Sequence, residues 1–192
     1  MLRFTDRAFT IATSSNPLIR TARARVVPAI APLATRFRRI RGYGFRVLSQ
    51  LAIHYRHSPL TAGGSRRLGR RARPGDRLPD APLTRDGLPT TLHTELDAPG
   101  FHLLLCGPPG QWPPSAGADL AARYAGLLTI HRLSRDNGDD VLLDHTGRVS
   151  RLLGIGKTAA HLLVRPDGHL AHRGGTDLTG VEAYLRRWLP PA

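Results

Sequence analysis

Phe101-His102-Leu103-Leu104-Leu105-Cys106, closed off by Gly100 on one side and Gly107 on the other, is the stretch on which the fold turns. An unbroken apolar run of this length between two glycines is the signature of a strand buried on both faces, not of a half-solvated one. Such a strand needs cover above and below, which calls for a layered α/β domain. Working outward, Gly107 to Pro114 (GPPGQWPP) reads as a loop. Ala116 to Leu127 then reads as a helix with Leu120, Tyr124 and Leu127 on one side. Leu128 to Leu133 and Val141-Leu142-Leu143 are strand-like, and a turn from Asp144 to Gly147 follows. Ala159 to Val164 and His169 to Arg173 flank Arg165-Pro166-Asp167-Gly168, which predicts a hairpin. The last element starts at Asp177 or Thr179 and places Val181, Tyr184, Leu185 and Trp188 on one helical face. Upstream, Gly75 to Leu83 is an extended, proline-spaced lead-in.

Strand, helix, strand, helix, hairpin and final helix is the order of a thioredoxin-like α/β sandwich, here covering residues 76–192. Thiol chemistry does not come with it. An active thioredoxin site opens a helix with C-x-x-C, whose first thiol is activated by the helix N-terminus. This chain has one cysteine in 192 residues, Cys106, so it has neither an intrachain disulfide nor a multi-cysteine metal site. At the end of an apolar strand Cys106 reads as a small buried hydrophobe. Absence of disulfides points to a cytoplasmic location. No apolar run approaches the roughly 18 residues of a spanning helix, which argues against a membrane partner.

The formal net charge is +14, and it is unevenly placed. Residues 1–74 hold 16 of the 28 basic residues and a single acid, Asp6; residues 75–192 are nearly neutral. Three segments result: a helical, Arg-rich stretch over residues 1–60, a Gly/Arg-rich linker over residues 61–75, and the domain. Asn16-Pro17 has the form of an N-cap followed by the first helical residue. Leu18, Ile19, Ala22, Val26 and Val27 follow with helical spacing, and Pro28 and Pro32 interrupt it. Leu33, Phe37 and Ile40 form a second stripe, and Phe45, Leu48, Leu51 and Tyr55 a third. These stripes have no evident partner within the segment. Gly63 to Gly75 (GGSRRLGRRARPG) is expected to be flexible and exposed. The basic stretch admits three readings: a phosphate-binding surface for nucleic acid through residues 1–74, an Arg-rich targeting sequence, and a solvated face on packing helices. The last fits the regular apolar spacing best.

The remaining motifs fail on their spacing. Gly154-Ile155-Gly156-Lys157-Thr158 resembles a phosphate loop, but the position five before Gly156 is Arg151, where glycine is required. Asp136, Asn137, Gly138, Asp139 and Asp140 read as a solvated turn, because the glycine comes too early for a calcium loop and no glutamate closes it. His54/His57 and His169/His172 are H-x-x-H pairs without a third ligand, and on the hairpin His169 and His172 are expected on opposite faces. No residue is assigned a catalytic, cofactor-binding or metal-binding role.

Three segments together carry a resemblance: Ser49-Gln50-Leu51-Ala52-Ile53-His54-Tyr55-Arg56-His57-Ser58-Pro59-Leu60, Arg73-Pro74-Gly75-Asp76-Arg77-Leu78-Pro79-Asp80-Ala81-Pro82-Leu83, and Leu163-Val164-Arg165-Pro166-Asp167-Gly168-His169-Leu170-Ala171-His172-Arg173. In this order they resemble the C-terminal end of the FAD-dependent aromatic-ring hydroxylases, the class A flavoprotein monooxygenases. The resemblance implies that residues 1–60 correspond to the last helices of a flavin domain. It likewise implies that residues 75–192 form the family's appended thioredoxin-like domain, a structural and assembly module. It implies FAD and NAD(P)H for the whole enzyme and none in this chain alone. The family's G-x-G-x-x-G and the Gly-Asp motif that precedes these helices do not occur here, so no flavin-contacting or catalytic residue carries over. The expectation is a truncated or split C-terminal part, not catalytic alone. Its expected partner, met through residues 1–60, is a separate flavin-binding half or a second copy of the chain.

Overall fold

The computed structural model describes residues 13, 16–21, 24–25, 54–62 and 72–189. The chain divides into two compact units, Met1–Ala52 and Ile53–Ala192. In the first, helix α1 (Pro17–Thr21) starts at the expected proline, and the Arg20 N–H donates to the Asn16 carbonyl at 2.9 Å. The stripes running through Val26, Phe37 and Leu48 lie outside the described residues.

The second unit carries β1 (Pro82–Arg85), β2 (Leu88–Thr91), α2 (Leu92–Glu95), β3 (Phe101–Cys106) and α3 (Ala118–Arg123). It continues with β4 (Leu128–Ser134), β5 (Val141–Leu143), α4 (Arg148–Leu153), β6 (Ala160–Val164), β7 (Leu170–Gly174) and α5 (Thr179–Trp188). All seven strands form one sheet in the order β2-β1-β5-β4-β3-β6-β7. β3 and β4 are parallel, with Cys106 opposite Leu133, while β6 is antiparallel to β3 and β7 to β6. The arrangement β4-β3-β6-β7, with a helix joining β3 to β4 and another after β7, is thioredoxin-like.

The alternation along β3 explains its composition. Leu103 and Leu105 face α3 and α5, packing with Leu120, Tyr124, Leu163, Val181, Tyr184 and Leu185. Leu104 and Cys106 face the other way, among Leu92, Leu133, Leu142, Val149, Leu153 and Leu162. Both faces are dry, so β3 needs apolar residues at consecutive positions.

Several expectations are corrected. The helix after the proline loop is shorter than Ala116–Leu127: Gly117 (φ 78°) precedes its first turn, Tyr124 caps it, and Leu127 is left 41% exposed. The lead-in at Gly75–Leu83 runs into a β1–β2 hairpin, turned at Asp86-Gly87 with φ of 50° and 79°, the left-handed pair of a two-residue hairpin loop. His54 and Tyr55 are not helical, and residues 54–62 belong with the second unit, so the compact division falls earlier than residue 60. The Tyr55 N–H donates to the Gly75 carbonyl (2.8 Å), the Gly75 N–H to the Leu170 carbonyl (2.7 Å), and the Ala62 N–H to the Ala171 carbonyl (3.0 Å). Gly75, expected in an exposed linker, is buried beneath this strap; residues 63–71 of the linker lie outside the described residues.

Candidate functional site

Because β3 and β4 run parallel, their carboxyl ends open on the same edge of the sheet, the usual place for a crevice in an α/β layer. A cavity of about 360 Å³ lies there. Cys106, Gly107 and Pro108 come from the end of β3, and Leu133 to Asp136 from the end of β4. His145 and Ser150 come from the start of α4, and Ile155 to Lys157 from the loop after it. Gly107 makes the turn possible: at φ 145° its N–H donates to the Leu133 carbonyl, and a Cβ there would sit 3.1 Å from the Ala159 Cα.

Asp144, fully buried, anchors the α4 side of the cavity. Its carboxylate accepts the Val149 N–H (3.3 Å), the Ser150 N–H (2.8 Å) and the Ser150 hydroxyl (2.8 Å), while its own N–H donates to the Ser134 carbonyl. Those bonds satisfy the first turn of α4, whose αL residue Gly147 has no side chain to do so. Three motifs set aside one by one in the sequence, namely Cys106, the Gly154–Thr158 stretch and the acidic turn from Asp136, therefore meet at one cavity.

Cys106 is inert here. Its side chain is fully buried, and burial pushes the thiol well above its ordinary range, with Arg173 opposing only weakly. Its carbonyl accepts the Trp112 indole N–H at 3.1 Å. Arg173, 2% exposed, donates from Nη1 to the Ala72 carbonyl (3.0 Å) and from Nη2 to the Gly154 carbonyl (2.8 Å), tying the lead-in to the end of α4.

The H-x-x-H pairs do not assemble. His54 lies 3.1 Å from Asp76, His169 stands edge-on to Tyr55, and His172 lies against His161. No group of three or more metal-ligating side chains occurs among the described residues. Two other histidine pairs do form. The Ala98 carbonyl can only accept, so His102 Nε2–H donates to it (2.9 Å) and His102 Nδ1 accepts from His131 Nε2–H (3.0 Å). By the same reasoning His161 Nδ1–H donates to the Gly175 carbonyl (2.7 Å), and His161 Nε2 accepts from His172 Nδ1–H (2.9 Å). Burial first, then the partner ring, pushes His131 and His172 down to about 4, and burial lowers His161 as well. These pairs cross between strands, and no local spacing announces them.

The segments strapped together at the β7 edge meet at Asp76. Its carboxylate accepts both arms of the Arg56 guanidinium (2.6 and 3.0 Å) and the Arg73 N–H (3.0 Å). Burial alone would raise this carboxyl, but the Arg56 and Arg73 hydrogen bonds outweigh it and hold the group below its ordinary value. Tyr184 of α5 closes the strap by donating its hydroxyl to the Leu60 carbonyl at 3.0 Å.

Comparison with known proteins agrees with this geometry. OxyS anhydrotetracycline hydroxylase from Streptomyces rimosus superposes with a TM-score of 0.55 at 26% identity, over 89% of this chain and 30% of its own. The flavin-dependent monooxygenase PieE, solved with FAD and substrate, gives 0.54 at 22% identity, over 96% and 31%. Aklavinone-11 hydroxylase, solved with FAD and aklavinone, is 32% identical over 60% of this chain and 21% of its own, at a TM-score of 0.46. The chain thus spans a third or less of the length of these structures. No curated protein matches. The family described as "Aromatic-ring hydroxylase, C-terminal" matches residues 71–192, and the chain belongs to that family.

Proposed function

We propose that the chain supplies the structural and assembly module of an FAD-dependent aromatic-ring monooxygenase and performs no redox step itself. The observation that carries this reading is the junction at Gly75-Asp76. There residues 54–62 are strapped onto the hairpin of the thioredoxin-like domain by backbone and carboxylate bonds, so the stretch leading into the domain is fixed to it. The domain's own thiol is buried and has no second cysteine to work with. FAD does not fit the described residues: β3 leads into Gly107-Pro108-Pro109-Gly110, and α3 begins only at Ala118. The glycine turn after β3 therefore does not run straight into a helix N-terminus to hold a pyrophosphate.

The partner in this proposal is a flavin-binding monooxygenase half, or a second copy of the chain, met through residues 1–60. Co-expression with the flavin-binding portion of a related hydroxylase tests it. The expected result is a stable complex whose NAD(P)H-dependent hydroxylation is lost when the module is omitted. A flavin half that is equally stable and active without the module would overturn the assembly role.

A further inference from the structure

We propose that the cavity at the carboxyl ends of β3 and β4 binds a small organic monoanion: a carboxylate on an apolar body of about one ring. Its volume, about 360 Å³, sits at the small end of ligand pockets, roughly 300–1,000 Å³. The inner wall is uncharged, with Leu133, Ile155 and the un-ionised Cys106 thiol giving it apolar surface beside the hydroxyls of Ser134 and Ser150. Its mouth carries two permanent cations, Arg135 and Lys157, with His145 beside them.

These cations differ from five arginines of the same domain. Arg56, Arg85, Arg123, Arg165 and Arg186 each meet a carboxylate. Arg135 and Lys157 make no ion pair among the described residues, although Asp136 shares their cavity. Two cations against one carboxylate leave a surplus of a single positive charge, which suits a monoanion better than a phosphate dianion. Arg135 is also placed in advance. A Cβ on Gly147 would lie 3.1 Å from its Cζ and Nε, so the guanidinium rests on bare backbone where a side chain would displace it. On the opposite side a Cβ at Gly156 would meet nothing within 4 Å, leaving the mouth open next to Lys157. A group already held where the ligand needs it saves ordering entropy on binding.

Titrating the ¹⁵N-labelled full chain with benzoate, and following the Gly107, Ser134 and Gly156 amides, tests this. The expected result is saturable, local shifts with a Kd of about 1 mM or tighter, a measurable affinity for so small a ligand. Neutral benzamide and inorganic phosphate should each bind at least about tenfold more weakly, and so should benzoate to the exposed-site double variant R135Q/K157Q. Shifts that stay linear, benzamide equal to benzoate, phosphate tighter than benzoate, or an unaltered double variant would each overturn the proposal. The double variant's amide spectrum shows independently that it is folded.

Discussion

A methyl group added at Gly75 would sit 2.5–2.6 Å from the backbone of Tyr55 and Arg56, closer than any real Cβ contact, and the residue's φ of +86° already disfavours a side chain. Gly75→Ala should therefore lift the strap, at a cost of about 1–3 kcal/mol. Trypsin cleavage at Arg56 should become faster while β3 to β7 stay folded. An unchanged cleavage rate would mean that the strap is not held there. Leu104→Asp acts in the opposite region. Leu104 is fully buried in the face shared with Leu142 and Leu153, and an unpaired carboxylate there costs several kcal/mol. The variant should be unfolded or insoluble; a soluble form with a cooperative melt would contradict the placement of this core. At this scale the sequence is readable where a residue's neighbours in the chain decide its fate. The run from Phe101 to Cys106 announced a two-sided strand, and Cys106 with it. The burial of Gly75 is not legible locally, because it depends on Arg56 and Leu170, far away in the chain.

Strands and helices bring the histidine pairs together, and the pairs make the sheet sensitive to acid. His131 and His172 titrate near 4 in the folded protein and near 6.5 when unfolded, so the unfolded chain binds the protons first. Their contribution is complete above about pH 6.5 and is lost as pH falls toward 4, by up to roughly 3 kcal/mol each. Asp76, held below 3.8, adds its own loss only at lower pH still. Urea midpoints should drop between pH 7 and 4, and H131Q/H172Q should flatten that slope; a midpoint independent of pH in the parent protein would refute this. The elements differ in legibility for the same reason. β3, β4, β5, the β6–β7 hairpin and α5 were set by local period and turn residues. The β1–β2 hairpin was announced by Asp86-Gly87 but obscured by its prolines. The cavity was illegible because its walls come from four separate segments, each carrying only an incomplete motif.

For the molecule as a whole, the Arg-rich composition of residues 63–71 makes limited trypsin digestion informative. Cleavage should fall there first and leave a resistant fragment that runs from the end of this stretch to the C-terminus, with mass spectrometry giving its bounds. If residues 1–52 survive as long in a monomer, they have a core of their own, and the partner proposed for them is unnecessary. The chain belongs to the aromatic-ring hydroxylase C-terminal family, and the structural role proposed for it requires that it hold no redox centre of its own. The visible absorption spectrum of the purified full chain, recorded after incubation with excess FAD and removal of the free cofactor, tests that most directly. The predicted result is a colourless protein that consumes no NAD(P)H with phenolic substrates; a yellow protein holding stoichiometric FAD would contradict it.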